Sequence, residues 1–472
     1  MKKLLFIAVL LLSGCTQSFF SQQSRPDQLT FPPLDFHFPE VAQQQLDNGM
    51  KVYLKEDHEL PLVELTVMVE GGSIYDPTEK AGLSQFFARS LSTGGTQQSS
   101  PDKLEAELES MAAELSVSSS LYGYEIDMSL NRGDLERGIE ILAELLRQPR
   151  FDNKRMELVR TQMLEQIKRQ NDDPGSIAGR LLKKEIYQDH PLGASPTQSG
   201  VESFKRADLL QLHQRYFQPQ NVWLAVSGDV TKDELLDSLT SQFGDWTMGE
   251  TLLRQFDLPP TGSAGKVILV DKKIPQTTIL LGQPGIEKDN PDMFAVQVAN
   301  FILGGGGFNS RMMREIRSDR GLAYSVYSYF QIGRQLPGLF VAGSETKSGS
   351  TIEVVTLLKQ LIEQIREEPV SEAELELAKK SLINSFIFAF ENSHSIVSRK
   401  LRLDYYNYPP EYLETYRAEL AAVTIDDVQR VARKYLHPDQ LQIVLVGDSE
   451  QYRDKISTLG FPVETFKLQS AE

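Results

Sequence analysis

The chain repeats itself once. Residues Glu157 to Asp229 can be laid on Glu376 to Asp448 without a gap, at a constant offset of 219. ELVRTQML faces ELAKKSLI, SIAGRLL faces SIVSRKL, and YFQPQNVWLAVSGD faces YLHPDQLQIVLVGD. Upstream the match is looser, KVYLKEDHELPLVELTVMVEGG against KVILVDKKIPQTTILLGQPG. One long offset shared by helical stretches, a proline turn and a strand marks a tandem duplication of 210–220 residues. That period is too long for a solenoid unit.

Each half mixes helix and strand. Val63, Leu65, Val67 and Val69 alternate with Glu64, Thr66, Met68 and Glu70, the pattern of a half-buried strand, and Gly71-Gly72 stops it. Ala81 to Leu91 has helical composition and ends at Gly94-Gly95. Residues 114–133 suggest two strands joined at a Tyr-Gly turn. Met156, Val159, Met163 and Ile167 recur at helical spacing, which predicts an amphipathic helix over 154–170, closed by Asp172-Asp173-Pro174. Val222 to Ser227 reads as an apolar strand ending at Gly228-Asp229. The expected class is α+β with antiparallel hairpins, in two homologous halves over 40–248 and 265–472. A linker over 249–264, with Pro259-Pro260-Thr261-Gly262, separates them.

The composition excludes one class of partner. Forty-nine basic against 65 acidic residues give −16, so the chain lacks the basic face that nucleic acid requires. The N-terminus carries an address. Lys2 and Lys3 precede an apolar run from Leu4 to Leu12 that is too short to span a bilayer. Leu12-Ser13-Gly14-Cys15 then resembles the bacterial lipobox, and Cys15 is the only cysteine. The expectation is a lipoprotein signal peptide over 1–14 and a lipidated Cys15 opening a Ser/Gln-rich tether that reaches residue 39. The plainer alternatives are a buried thiol or an ordinary cleaved leader. Thr16 rather than Asp follows Cys15, which by resemblance to enteric lipoproteins points to the outer membrane, facing the periplasm. No later apolar run approaches 18 residues, so the lipid would be the only membrane contact.

A tandem pair of α+β halves resembles the pitrilysin/insulinase family of zinc peptidases, the inverted zincins, and especially their mitochondrial-processing-peptidase-like branch. The likeness runs over residues 40–465. It implies a clamshell of two halves, with H-x-x-E-H on a first-half helix just after Gly-Leu. Here that stretch is GLSQFFARSL. Gln85 and Arg89 stand at the two zinc-ligand positions and Ala88 at the general-base position. A Gln amide is a poor zinc ligand, Ala accepts no proton, and Arg offers no lone pair. Only Glu165, 76 residues after Arg89, matches the third ligand, and one carboxylate does not hold catalytic zinc. No two of the six histidines lie three to five residues apart. The expectation is no metal in this chain.

The resemblance also implies an Arg and a Tyr, seven residues apart in the second half, that bind the substrate carbonyl and stabilise its oxyanion. Arg317 and Tyr324 have that spacing, inside FILGGGGFNSRMMREIRSDRGLAYSVYSYF (301–330). Gly304, Gly305, Gly306 and Gly307 read either as a helix stop before a new helix capped at Asn309 or Ser310, or as a segment that lets peptide backbone approach closely. Arg311, Arg314, Arg317 and Arg320 recur every third residue and drift around the helix, solvated or paired. A chain with the Arg/Tyr pair but no zinc motif resembles one partner of a split enzyme. The expected partner is a zinc-motif-bearing relative that brings the zinc, and the expected substrate is an extended peptide that pairs with an edge strand. The alternative is a pseudoenzyme serving as a periplasmic scaffold or peptide-binding lipoprotein.

Overall fold

The computed structural model describes residues 37–250, 255–260, 262 and 264–468. The expected signal peptide, Cys15 with its expected lipidation and the expected tether up to residue 36 lie outside the described residues, as do positions 251–254, 261 and 263 of the expected linker. From Phe38 onward the chain forms one compact unit.

The first half supplies β1 (Ala42–Gln45), β2 (Lys51–Glu56), β3 (Leu62–Glu70), β4 (Glu114–Ser119), β5 (Gly123–Asn131) and β6 (Val222–Gly228). The second supplies β7 (Lys266–Asp271), β8 (Gln276–Pro284), β9 (Ala323–Gln331), β10 (Leu339–Lys347), β11 (Gln442–Gly447) and β12 (Val463–Phe466). The sheets are ordered β1-β2-β6-β3-β5-β4 and β12-β7-β11-β8-β10-β9. Five strands correspond one to one. The sixth differs in origin: β1 precedes β2 and pairs antiparallel, whereas β12 comes last and pairs parallel with β7. The turn between β4 and β5 is Ser120–Tyr122, with Gly123 already in the strand.

Helices α1 (Leu83–Thr93), α2 (Pro101–Ser110), α3 (Leu135–Arg147), α4 (Asn153–Arg169), α5 (Pro174–Tyr187), α6 (Gln198–Ser203), α7 (Arg206–Tyr216) and α8 (Lys232–Phe243) belong to the first half. Helices α9 (Met293–Asn300), α10 (Thr351–Glu367), α11 (Glu372–Ser385), α12 (Ser393–Tyr405), α13 (Tyr412–Ala422) and α14 (Ile425–Tyr435) belong to the second. Most pack on the inner face of their own sheet. Phe86, Phe87, Ile139, Leu142, Met163 and Leu239 fill the first core, and Val296, Leu303, Leu358, Ile362 and Val428 fill the second.

Two helices cross over. Helix α5 leaves the first half and lies on β8 and β11 of the second sheet, while α12 leaves the second half and lies on β2 and β6 of the first. They are the duplicated segments SIAGRLL and SIVSRKL. Both begin at equivalent caps: Asp173 accepts from the Ser176 backbone N–H at 2.6 Å, and Asn392 from that of Ser395 at 2.7 Å. Ile177, Leu181, Leu182 and Ile186 pack on Ile268, Val270, Leu280 and Val444. Val397, Leu401 and Tyr405 pack on Tyr53, Met68, Trp223 and Ala225. With helices on both faces, β6 and β11 are buried throughout, as near-continuous apolar runs require.

This exchange changes the expectation for β3. Its polar face was to meet solvent, yet Thr66 and Met68 are only 1 and 2% exposed because α12 covers them. The polar atoms there are consumed internally. Thr66 Oγ1 donates to Asp127 at 2.6 Å and so accepts from His394 Nε2 at 3.0 Å, leaving His394 Nδ1 to accept from Ser227 Oγ at 3.0 Å. Burial pushes the His394 imidazole pKa down, against the pull of Glu64 and Asp127. Arg402 binds Glu125 through two bonds of 2.6 and 2.7 Å, and Tyr405 donates to the Tyr122 carbonyl at 2.7 Å.

Because each half holds a helix of the other, they should unfold together. Leu182→Ala opens a cavity against the second sheet and should cost about 2–5 kcal/mol. Both tryptophans, Trp223 and Trp246, lie in the first half. In urea, their fluorescence transition should therefore shift together with far-ultraviolet circular dichroism. Two separated transitions would show that the halves are thermodynamically independent.

Candidate functional site

Helix α1 carries the stretch where the resemblance places a zinc motif. Gly82, at a φ of 92°, turns the chain into it. Asp76 holds its first turn: the carboxylate accepts from the Gly82 backbone N–H at 3.0 Å and from Ser84 through its N–H at 3.0 Å and its Oγ at 2.6 Å. Gln85 and Arg89 are partly exposed on this helix, while Ala88 faces inward and is 2% exposed, part of the apolar core. Helix α4 packs against α1, but the Glu165 carboxylate turns to Lys168 at 2.7 Å, and that cation lowers its pKa. The donor set does not fit zinc: an amide, a methyl, a guanidinium and a paired surface carboxylate. Among the described residues there is no group of three or more His, Cys, Asp or Glu able to hold a metal ion.

The second half brings Arg317 and Tyr324 together. Arg317 lies in a helical stretch, Met313–Asp319, wound with π geometry, and its carbonyl accepts from the Gly321 N–H at 3.0 Å. Tyr324 sits where β9 carries one residue too many. Ser344 pairs with Val326 and Thr346 with Ala323, so Tyr324 and Ser325 together oppose Glu345 in a β-bulge. Both departures from regular backbone fall on the pair itself. The Arg317 guanidinium lies 4.5 Å from the Tyr324 ring and 4.6 Å from that of Phe308. Tyr324 is 80% exposed and Phe308 66%. Among the described residues Arg317 has no carboxylate partner, whereas Arg311 is bound to Glu374 at 2.7 and 2.9 Å and Arg320 to Glu315 at 2.7 Å. An aromatic sandwich thus fixes a cation whose N–H donors stay available. Strand β9 is also the free edge of its sheet.

Gly304 to Gly307 form the turn before this helix. Phe301–Gly305 is itself a π turn, and Gly307–Asn309 is a 3₁₀ turn. A Cβ on Gly304 would come within 2.5 Å of the Ser328 backbone nitrogen, so close packing on β9 requires glycine there. Gly307, at a φ of 56°, has open space around it. The cap is Ser310, whose Oγ accepts from the Met313 N–H at 3.4 Å, and not Asn309. Sequence reasoning missed Phe308, which lies inside the quoted stretch. The available signal was an aromatic residue directly after a glycine run, where no core face is due.

A two-sheet α+β chain of this kind, with its zinc-motif helix in place and the ligands gone, is a peptidase-like protein without a zinc site. The comparisons give its family. Residues 51–199 match the model described as insulinase (peptidase family M16), and residues 203–382 match that of the peptidase M16 inactive domain. A Helicobacter pylori protein named non-peptidase homolog YmxG is 25% identical, covering 87% of this chain and 95% of its own. The mouse mitochondrial-processing peptidase subunit beta is 26% identical, covering 90% of this chain and 88% of its own. The crystal structure of a peptidase M16 inactive domain from Pseudomonas fluorescens superimposes with a TM-score of 0.78 at 25% identity, over 87% of this chain and 98% of that one. The chain belongs to peptidase family M16, the insulinase/pitrilysin family.

The Asp76 anchor gives a pH prediction. Burial outweighs the donors from Ser84 and Gly82 and pushes its carboxyl up to about 6. Folding therefore favours the protonated form. Its contribution to stability is complete below the unfolded value of about 4 and is lost as pH rises through about 6. Asp76→Asn removes this titration, so between pH 4 and 6 the variant's urea midpoint should gain on wild type as pH rises. Parallel profiles would contradict the burial of this carboxyl.

Proposed function

We propose that this chain is the zinc-less member of a two-chain zinc endopeptidase. Its partner, an M16 relative with an intact H-x-x-E-H, brings the metal and the general base. This chain brings Arg317 and Tyr324, part of the chamber wall and, through lipid on Cys15, the attachment to the periplasmic face of the outer membrane. Alone it is inactive. The observation that carries this reading is the Arg317–Tyr324 pair: an unneutralised guanidinium and an exposed phenol, brought together by two local backbone irregularities. A core or scaffold has no use for them there.

The chemistry follows from the donors. When a peptide carbonyl is attacked, negative charge grows on its oxygen. A fixed cationic N–H donor and a neutral O–H donor aimed at that oxygen stabilise the charge without reorganising. Arg317 is already oriented by the Phe308 and Tyr324 rings. The free edge of β9 offers main-chain groups to an extended peptide beside it. A scaffold reading is favoured by one finding, the relative named a non-peptidase homolog.

Two outcomes test the proposal. The chain purified alone should hold far less than one zinc per molecule by atomic absorption; stoichiometric, tightly bound zinc would overturn it. In the complex recovered with its partner, Tyr324→Phe should lower kcat by about tenfold to a thousandfold with little change in thermal stability. An unchanged kcat would remove Tyr324 from the reaction.

A further inference from the structure

Beside the Arg317–Tyr324 pair, α11 and the segment 308–315 enclose a cleft of about 610 Å³. Phe308, Arg311, Arg314, Gln364, Glu374 and Leu377 are among its lining residues. Phe308 belongs to both places, since its ring also packs on the Arg317 guanidinium at 4.6 Å. We infer that this cleft is a subsite for a carboxylate side chain of an extended peptide, with Arg314 as the residue that recognises it. The inference deepens the peptide-binding part of the proposed function and rests on it.

The charges in the cleft are unequally committed. Glu374 is saturated: it accepts from Arg311 Nε at 2.7 Å and Nη2 at 2.9 Å, and from Ser371 N–H at 3.0 Å and Oγ at 2.9 Å. Glu315 is taken by Arg320 at 2.7 Å. Arg314 is left over. Its nearest carboxylate oxygen is on that same Glu374, 4.0 Å away, beyond hydrogen-bond reach, and its side chain is 56% exposed. A guanidinium presents paired donors in the plane a carboxylate matches. Glu374, 4.0 Å from Arg314, adds a negative charge beside it that disfavours a doubly charged ligand such as a phosphate more than a singly charged one.

The walls match the rest of such a side chain. Phe308 is 66% exposed and Leu377 is 43% exposed, two large apolar surfaces facing solvent at the cleft. They can cover the methylenes of a glutamate and an apolar neighbour while its carboxylate reaches Arg314. In a chain of net charge −16, an arginine with no hydrogen-bonded carboxylate beside exposed apolar walls is a selective feature rather than part of a general basic surface.

Three dye-labelled, ten-residue peptides of Ser, Thr and Val test this by fluorescence anisotropy with the full chain. One carries a central Leu-Glu and one Leu-Gln, both amidated at the C-terminus; the third carries Leu-Gln and a free C-terminal carboxylate. Wild type should bind the Leu-Glu peptide about tenfold or more tightly than the amidated Leu-Gln peptide. Arg314→Ala should abolish that difference while leaving Leu-Gln binding unchanged, and Arg314→Lys should restore part of it. Equal binding of the two amidated peptides by wild type overturns the subsite and leaves peptide binding standing. Discrimination that survives Arg314→Ala overturns the assignment to Arg314. Tightest binding of the free-acid peptide replaces a side chain with a chain terminus and overturns the inference as stated. Binding of none of the three overturns both the subsite and peptide binding by this chain.

Discussion

Everything in this molecule depends on the mutual loan of one helix. A six-stranded sheet with helices on one face leaves its other face to be covered, and each half covers the other's. The contacts are apolar along the middle of α5 and α12, where Leu182 and Leu401 stand at equivalent places in the duplication. They are polar where His394, Arg402 and Tyr405 of α12 reach across to Thr66, Glu125 and Tyr122. Buried polar groups satisfied in this way specify one arrangement more than they add stability. The two halves are therefore held together as one frame.

Within that frame the two halves differ in what their helical segments present. In the first half the motif helix has become structural: Ala88 joins the core, Ser84 serves Asp76, and Glu165 is a surface ion pair. In the second half the local backbone has departed from regularity to present two side chains. The π-wound stretch and the β-bulge are both local departures from regular pairing. They converge on Arg317 and Tyr324. The charge pattern follows the same division. Of the four arginines at every third position, Arg311 and Arg320 are bound to carboxylates, while Arg314 and Arg317 keep their donors.

The duplication made much of this legible in the sequence. β3, α1, α4 and β6 lie where alternation, helical spacing, a short apolar run and glycine stops put them. The loss of zinc ligands at Gln85, Ala88 and Arg89 is a matter of residue identity and needs no geometry. The helix exchange was hidden. Thr66 and Met68 alternate with the apolar face as residues of a solvent face would, and nothing local says that a helix more than 300 residues away will cover them. The sandwich at Arg317 was half visible: the Arg/Tyr spacing could be read, but Phe308 and the bulge depend on where β9 meets β10. Arg314 could not be told from its neighbours until the partner of each was known.

The most direct test is gentle affinity recovery of the tagged full-length chain from the cells that make it, with the eluate assayed for chelator-sensitive peptidase activity. A split enzyme predicts that an M16 chain with an intact H-x-x-E-H co-elutes and that activity comes with it. Recovery of this chain alone, without activity, would contradict the shared active site and leave a scaffold in its place.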